Sequence, residues 1–300
     1  MKAPRRLTML VALTALILAA GLQPVSAAPQ PKPILYGTTG RCNNPFPGGP
    51  CSENSTLYRI DPSTGAATLI GSVGHTVNGL AWDPKTAKLY ASTAIGCGDP
   101  LSVCPFHGLI TIDTTTGLGT PVNPLAVNFG LDGEPSPIHS LAINGAGRLA
   151  AWYDEFGGPT DTFVTIDKAT GVATEFPDTG IDTSANGLAY DVFNQLWNID
   201  TKRCTLFDAN GACLAFAQTA YLLDPKTGKP LSSKSLTPPT MAALGDFNPF
   251  TNLYYGLRFQ SFDPAQKTFI TVVNVSTGAV TTLGPTVDNL HTLAFVKKLK

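Results

Sequence analysis

A five-bladed β-propeller of four-stranded antiparallel blades is the all-β fold that this sequence predicts. Three observations predict it: the composition, a turn phrase repeated five times, and chain ends that complement each other. With 43% hydrophobic and 14% charged residues among 300, the chain has the make-up of a folded domain rather than a disordered one. Gly numbers 29 and Pro 25 while Met numbers 3 and Glu only four, a usage that favours short strands and tight turns over helices. Lys plus Arg total 20 against 21 Asp plus Glu, so no basic surplus exists to neutralise a phosphate backbone, and nucleic acid is not an expected partner.

Residues 1–28 read as a secretory signal peptide. Lys2, Arg5 and Arg6 precede the apolar run from Leu7 to Leu22, and Pro24-Val25-Ser26-Ala27-Ala28 supplies a small-residue cleavage signature. A membrane anchor is the alternative, but the run is shorter than the ~20 residues a span needs. Losing this segment removes three cations and takes the formal net charge from −1 to −4. The expectation is a secreted or periplasmic monomer without membrane insertion, with residues 29–300 forming one propeller domain.

The repeated phrase is Ile60-Asp61-Pro62-Ser63-Thr64-Gly65, then Ile112-Asp113-Thr114-Thr115-Thr116-Gly117, Ile166-Asp167-Lys168-Ala169-Thr170-Gly171, Leu223-Asp224-Pro225-Lys226-Thr227-Gly228 and Val273-Asn274-Val275-Ser276-Thr277-Gly278. Its glycines fall 52, 54, 57 and 50 residues apart. An Asp or Asn side chain bonds its own backbone two residues on, and Gly supplies the positive φ that closes the turn, so each phrase is a hairpin turn. Around each turn four short runs rich in β-branched or aromatic residues recur, in the first full copy Thr56 to Asp61, Ala67 to Gly71, Val77 to Asp83 and Lys88 to Thr93. Four strands in each of five repeats describe a radial array of blades.

The chain ends supply the closure. Pro33 to Thr38 matches Lys88 to Thr93, and His291 to Phe295 matches Asn78 to Trp82, so the two termini complete one blade between them. Pairing the last strand with the first removes exposed sheet edges. Strands equivalent to Lys88 to Thr93 contain Tyr36, Tyr90, Ala150, Trp197 and Tyr254, which sets the count at five blades.

Gly79-Leu80-Ala81-Trp82-Asp83-Pro84, Lys88-Leu89-Tyr90 and the Ile-Asp-Pro-x-Thr-Gly phrase resemble the repeats of NHL-type and quinoprotein-like bacterial propellers over essentially the whole of residues 29–300. Propellers host binding scaffolds, lectins and enzymes alike, so the resemblance speaks to fold and barely to function. Five-bladed relatives of this kind include tachylectin-type sugar binders and propeller glycoside hydrolases. The Phe-Thr-Gln-Gly-Leu phrase of bacterial glutaminyl cyclases has no copy here.

The resemblance implies that the strand around Gly79 to Trp82 is innermost, followed outward by those of Tyr90, Ile60 and Leu69. Tight turns then lie on one face, and the long second-to-third-strand and outer-to-inner connections lie on the other. Six cysteines form three short-range couples, Cys42 with Cys51, Cys97 with Cys104 and Cys204 with Cys213, all in second-to-third-strand loops. Six cysteines allow fifteen pairings; in an exported chain disulfides are the default, and the local pairing stands out. Each such staple contributes about 2.5 kcal/mol on the chain-entropy model. Thiol metal binding is the alternative, and no CxxC spacing supports it. The stapled face is the expected working face, because rigid scaffolds carry their sites on such loops.

Aligned inner strands bring Asn78, His139, Asn186 and His291 to one equivalent position at the channel mouth, with Ala242 or Ala243 in the remaining blade. Carboxamides and imidazoles there suit a sugar hydroxyl or a cation, and equally a hydrated channel. The ring resembles in part that of calcium-dependent lactonase-type propellers, but it lacks a carboxylate at every matched position. Asp246 and Asp288 are the nearest substitutes, and for Asp246 a structural role bonded to backbone is the stronger expectation. A hard cation needs more anionic oxygen, so no cofactor or metal is expected, calcium being the one alternative.

Glu53, Glu134 and the pair Asp154 and Glu155 map to the loop face, where glycoside hydrolysis would need converging carboxylates and where solvated charge is the simpler account. Trp152-Tyr153 offers a possible aromatic platform beside Asp154 and Glu155, although packing between blades is the stronger expectation for Trp82, Trp152 and Trp197. His75 and His107 are expected to be exposed in loops. No nucleophile elbow, phosphate loop or HExxH phrase is legible, and no catalytic residue is assigned. The functional expectation is a binding module that engages a saccharide, peptide or protein through the stapled face and channel mouth, with Asn78, His139, Asn186, His291, Asp154 and Glu155 as contacts. The alternative is a channel hydrolase, lactonase-like or glycosidic.

Overall fold

The computed structural model describes residues 32–40, 54–93, 107–131, 138–153, 160–181, 187–200, 203–208, 213–240, 243–259 and 267–297. The predicted turns build its hairpins. Ser63, Thr115, Ala169, Lys226 and Ser276 each donate a backbone N–H to the Asp or Asn carboxyl or amide oxygen two residues earlier, at 2.7–3.0 Å. The closing Gly65, Gly117, Gly171, Gly228 and Gly278 all have φ between 72° and 85°.

The first blade takes β1 (Leu35–Thr39), β2 (Thr56–Ile60) and β3 (Ala67–Ser72) from the beginning of the described chain. The second comprises β4 (Val77–Asp83), β5 (Lys88–Thr93), β6 (Leu109–Ile112) and β7 (Gly119–Pro121). The third comprises β8 (Ile138–Ile143), β9 (Leu149–Tyr153), β10 (Thr162–Ile166) and β11 (Ala173–Glu175). In the fourth, β12 (Leu188–Tyr190) and β13 (Leu196–Ile199) are followed by a separate hairpin, β14 (Arg203–Phe207) and β15 (Cys213–Ala217), before β16 (Thr219–Leu223) and β17 (Pro230–Ser235) complete the sheet. The fifth is β18 (Ala243–Phe247), β19 (Tyr254–Phe259), β20 (Thr268–Asn274) and β21 (Ala279–Pro285), after which β22 (Leu290–Phe295) returns to pair antiparallel with β1 as the first blade's innermost strand.

Every blade is four-stranded, antiparallel and in sequential order from the inside out, with the expected ring closure. The innermost strands β4, β8, β12, β18 and β22 lie next to one another in that order, and β22 meets β4. The core lies between blades: five apolar clusters each combine the facing sides of two consecutive sheets. This is why strands β5 and β9 are buried on both faces along almost their whole length, with neighbouring blades covering each side.

Two features were not anticipated. The connection carrying Cys204 and Cys213 contains the β14–β15 hairpin, which stands apart from every blade sheet. His107 is buried, not exposed: the segment Val127–Gly130 covers it, with Asn128 and Phe129 at φ of 53° and 55° and the Phe129 ring edge-on to the imidazole at 5.4 Å.

Candidate ligand site at the channel mouth

The inner strands enter the channel mouth through β-bulges. Val77 and Gly79 of β4 pair with consecutive residues Thr93 and Ser92, which leaves Asn78 as the extra residue. His139 lies in the corresponding irregularity of β8, His291 in that of β22 and Leu244 in that of β18. A bulge leaves one residue outside the ladder and re-aims its side chain, and bulges of this kind sit beside functional sites. Four of the five inner strands therefore carry an irregularity in the pairing with the next strand, and three of the residues there are the polar ones singled out by alignment.

Asn78 and His139 are brought together. The Asn78 amide Nδ2 lies 3.2 Å from His139 Nδ1, a contact between adjacent blades, and Asn78 is only 3% exposed. With the amide nitrogen toward the ring, His139 accepts at Nδ1 and carries its proton on Nε2. The neighbouring glycine makes the approach possible: a Cβ on Gly79 would stand 2.1 Å from the His139 carbonyl oxygen. Gly187, which follows the predicted contact Asn186, meets the same constraint, since its Cβ would lie 1.9 Å from the Ile199 carbonyl oxygen. Asn-Gly at 78–79 and again at 186–187 was the sequence signal for this close packing. His291 packs against the chain at Gly40, whose N–H donates to the Asn289 carbonyl at 2.9 Å.

Asn186, Asp154 and Glu155 lie outside the described residues, as do Cys42, Cys51, Cys97, Cys104, Glu53 and Glu134. Cys204 and Cys213 stand on the paired strands β14 and β15; Cys204 is disulfide-bonded, while the Cys213 side chain is outside the description. The Trp152-Tyr153 platform is not formed. Trp152 is fully buried between the third and fourth blades and donates its Nε1–H to Asn198 Oδ1 at 2.8 Å, and Tyr153 is 6% exposed. An indole with one solvent-free partner on the next blade is an interblade bolt, so no ring is left to face a sugar.

The other ends of the inner strands are tied together through Asp246 and Lys297. Asp246 accepts the backbone N–H of Phe295 at 2.9 Å and of Phe247 at 2.8 Å, and its Oδ1 also takes the Lys297 ammonium at 2.6 Å. Lys297 donates in addition to the Tyr190 carbonyl at 2.9 Å, and its own carbonyl accepts from Trp82 Nε1 at 3.0 Å. One residue following β22 thus connects four blades. Asp246 holds backbone and an ammonium rather than an ion at the mouth, in keeping with its structural expectation; Lys297 was not singled out because a near-terminal lysine carries no sequence signal.

Other inner-strand carboxylates are engaged on that same face. Burial by itself would push the Asp83 carboxyl up, but hydrogen bonds from the Lys168 ammonium, the Thr86 hydroxyl and the Lys85 N–H outweigh it and hold the group below the usual carboxylate range. Asp191 accepts from the Phe193 and Gln195 N–H groups and from Trp197 Nε1. Adjacent tight turns are clasped by Asn194 Oδ1, which accepts from Gly145 N–H at 2.9 Å, and by Asn252 Oδ1, which accepts from Val192 N–H at 3.0 Å. Among the described residues no three His, Cys, Asp or Glu side chains converge as a metal would need. Nor, among those residues, is any helix long and apolar enough to cross a membrane.

No protein-family model matches the chain, and no curated protein matches it in sequence. Similar solved structures include TolB from Acinetobacter baumannii, at 16% identity and a TM-score of 0.46 over 84% of this chain and 53% of that one. A putative TolB from Agrobacterium tumefaciens is similar at 15% identity and a TM-score of 0.45, covering 84% of this chain and 88% of that one. An α-L-arabinofuranosidase from Clostridium thermocellum is similar at 12% identity and a TM-score of 0.48, covering 85% and 91%. The chain spans about half the length of the first of these. At such identities and scores nothing about activity passes from those proteins to this one.

Proposed function

We propose that this chain is a secreted or periplasmic binding module, released from a signal peptide at residues 1–28, which takes a saccharide, peptide or protein ligand at the channel mouth and the loop face around it. The observation that carries the reading is the Asn78–His139 hydrogen bond between adjacent blades, on bulged innermost strands. An amide and an imidazole side by side offer hydrogen-bond donors and acceptors suited to the hydroxyls and amides of such a ligand. The carboxylates of the described inner strands serve elsewhere: Asp83 binds Lys168, Asp191 its own turn, and Asp246 the strand ends and Lys297. In this reading Asn186, His291, Asp154 and Glu155 complete the contact set, and the couples Cys42/Cys51, Cys97/Cys104 and Cys204/Cys213 brace the loops. A kinship with NHL-type propellers belongs to the same proposal, and the reading needs no cofactor.

Two measurements test it. Elemental analysis after extensive dialysis should find no metal at a fixed ratio to protein, and a panel of immobilised oligosaccharides and peptides should retain the protein, with His139→Ala weakening the retained interaction at least tenfold. One metal per chain, or turnover of lactone or glycoside substrates lost in His139→Ala, would replace the binding module with the hydrolase. Alkylation of the denatured, unreduced protein should leave all six cysteines unmodified, whereas six modified thiols would remove the staples from the proposal.

A further inference from the structure

His107 ends the connection from β5 to β6 and is buried, with neither ring nitrogen hydrogen-bonded among the described residues. Val127–Gly130 covers it, and the Asn128 Oδ1 of that cover is likewise buried without a partner. Three polar atoms are thus held out of water uncompensated, a cost that contact with solvent would remove. The cover is also strained, because two consecutive residues other than glycine, Asn128 and Phe129, lie in the left-handed region. Its attachment is slight. Among the described residues its one hydrogen bond to a distant part of the chain runs from the Asn128 N–H to the His107 carbonyl at 2.9 Å, while the bonds between Asn128 and Leu131 are local. Its remaining hold is the Phe129 ring, which stands edge-on to the imidazole and enters the apolar cluster between the second and third blades. Leu125 and Val127 are exposed, so the outer side of the segment faces water.

We propose that Val127–Gly130 is an acid-released cover: a proton taken up by His107 drives the segment off the second blade, hydrating the ring and uncovering Phe129 while the blades stay folded. No described carboxylate is paired with the imidazole. The cluster that receives Phe129 is aliphatic and aromatic, with the phenols of Tyr90 and Tyr153 as its titratable groups, and the cover itself carries no ionisable side chain. Asp99, Asp132 and Glu134, in the two adjoining connections, lie outside the described residues. An imidazolium without a counter-charge is stabilised chiefly by water, and the open state is the one that supplies it. Burial lowers the His107 pKa from 6.5 to about 4, so the closed state binds the proton more weakly than the open one and the opening equilibrium rises as pH falls. Between pH 7 and pH 5 the rise is about twentyfold. The proposal does not depend on what the channel mouth binds.

Hydrogen–deuterium exchange of the purified protein at pH 7 and pH 5, corrected for the intrinsic rate at each pH, compares opening at residues 122–131 with opening of β9 and β10. The expected result is about twentyfold less protection of residues 122–131 at pH 5 with the two strands unchanged. That pH dependence should be absent in His107→Leu and in His107→Gln, the second being a polar replacement that does not titrate and that serves if the first fails to fold. An NMR titration of His107 in the native chain should give a midpoint below 6.5. Equal loss of protection in β9 and β10 would make the event an unfolding of the blade and overturn the proposal. The same acid dependence in the variants, or constant protection in the native chain, would overturn it as well. So would a midpoint at or above 6.5, the sign of a carboxylate or of water beside the closed ring.

Discussion

Acidifying the solution from pH 7 toward pH 4 titrates a group that the fold holds uncharged. His107 is 7% exposed, neither ring nitrogen has a hydrogen-bond partner among the described residues, and burial lowers its pKa from 6.5 to about 4. The folded value lies below the unfolded one, so the stability this residue contributes is fully present above pH 6.5 and is lost as pH falls through the window down to about 4. At about 1.36 kcal/mol per unit, the whole shift is worth about 3 kcal/mol, and about 2 kcal/mol is already lost at pH 5. That is a large share of the ~5–15 kcal/mol by which a typical domain is stable. Urea denaturation of the native chain and of His107→Leu at pH 7, 6 and 5 isolates the effect, because the carboxylates that titrate in both proteins cancel in the difference. The native chain should lose about 2 kcal/mol more than the variant between pH 7 and 5. Parallel pH dependence of the two would refute the burial argument, and with it the view of Val127–Gly130 as a cover over an uncharged ring.

Other perturbations follow from the same geometry. Gly79→Ala places a Cβ 2.1 Å from the His139 carbonyl oxygen and should cost about 1–3 kcal/mol of stability, read as a lower denaturant midpoint at constant slope. Lys297→Met leaves the buried Asp246 carboxylate without its ammonium and should cost about 3 kcal/mol, of which Lys297→Met with Asp246→Asn should recover part. Asp83, whose folded pKa is lowered, contributes stability above the ordinary carboxylate range that disappears as pH falls through its folded value; Asp83→Asn should therefore shallow the acid limb of the stability curve, which urea titrations between pH 5 and 2 would show.

Sequence alone determined the blade count, the strand order and the ring closure. These depend on local signals, a turn needing Asp and Gly four positions apart and strands needing β-branched or aromatic runs, and the five copies repeat them at nearly constant spacing. The same periodicity aligned Asn78 with His139 and His291, and each of these residues falls at a register irregularity of its inner strand. Tertiary structure alone decided what each polar side chain meets. His107 looked like a loop residue, because the residues that cover it, Asn128 and Phe129, stand twenty-one and twenty-two positions away in left-handed conformations that no turn phrase announces. Trp152 packs between blades as expected, but that Asn198 of the next blade accepts its indole N–H was not legible in the sequence. Lys297 became the tie across the channel because ring closure brings the chain end beside Trp82, Tyr190 and Asp246. Burial and pairing between blades depend on residues about fifty or more positions apart, and a single sequence carries the repeat that sets those blades side by side but not the contacts made once they meet.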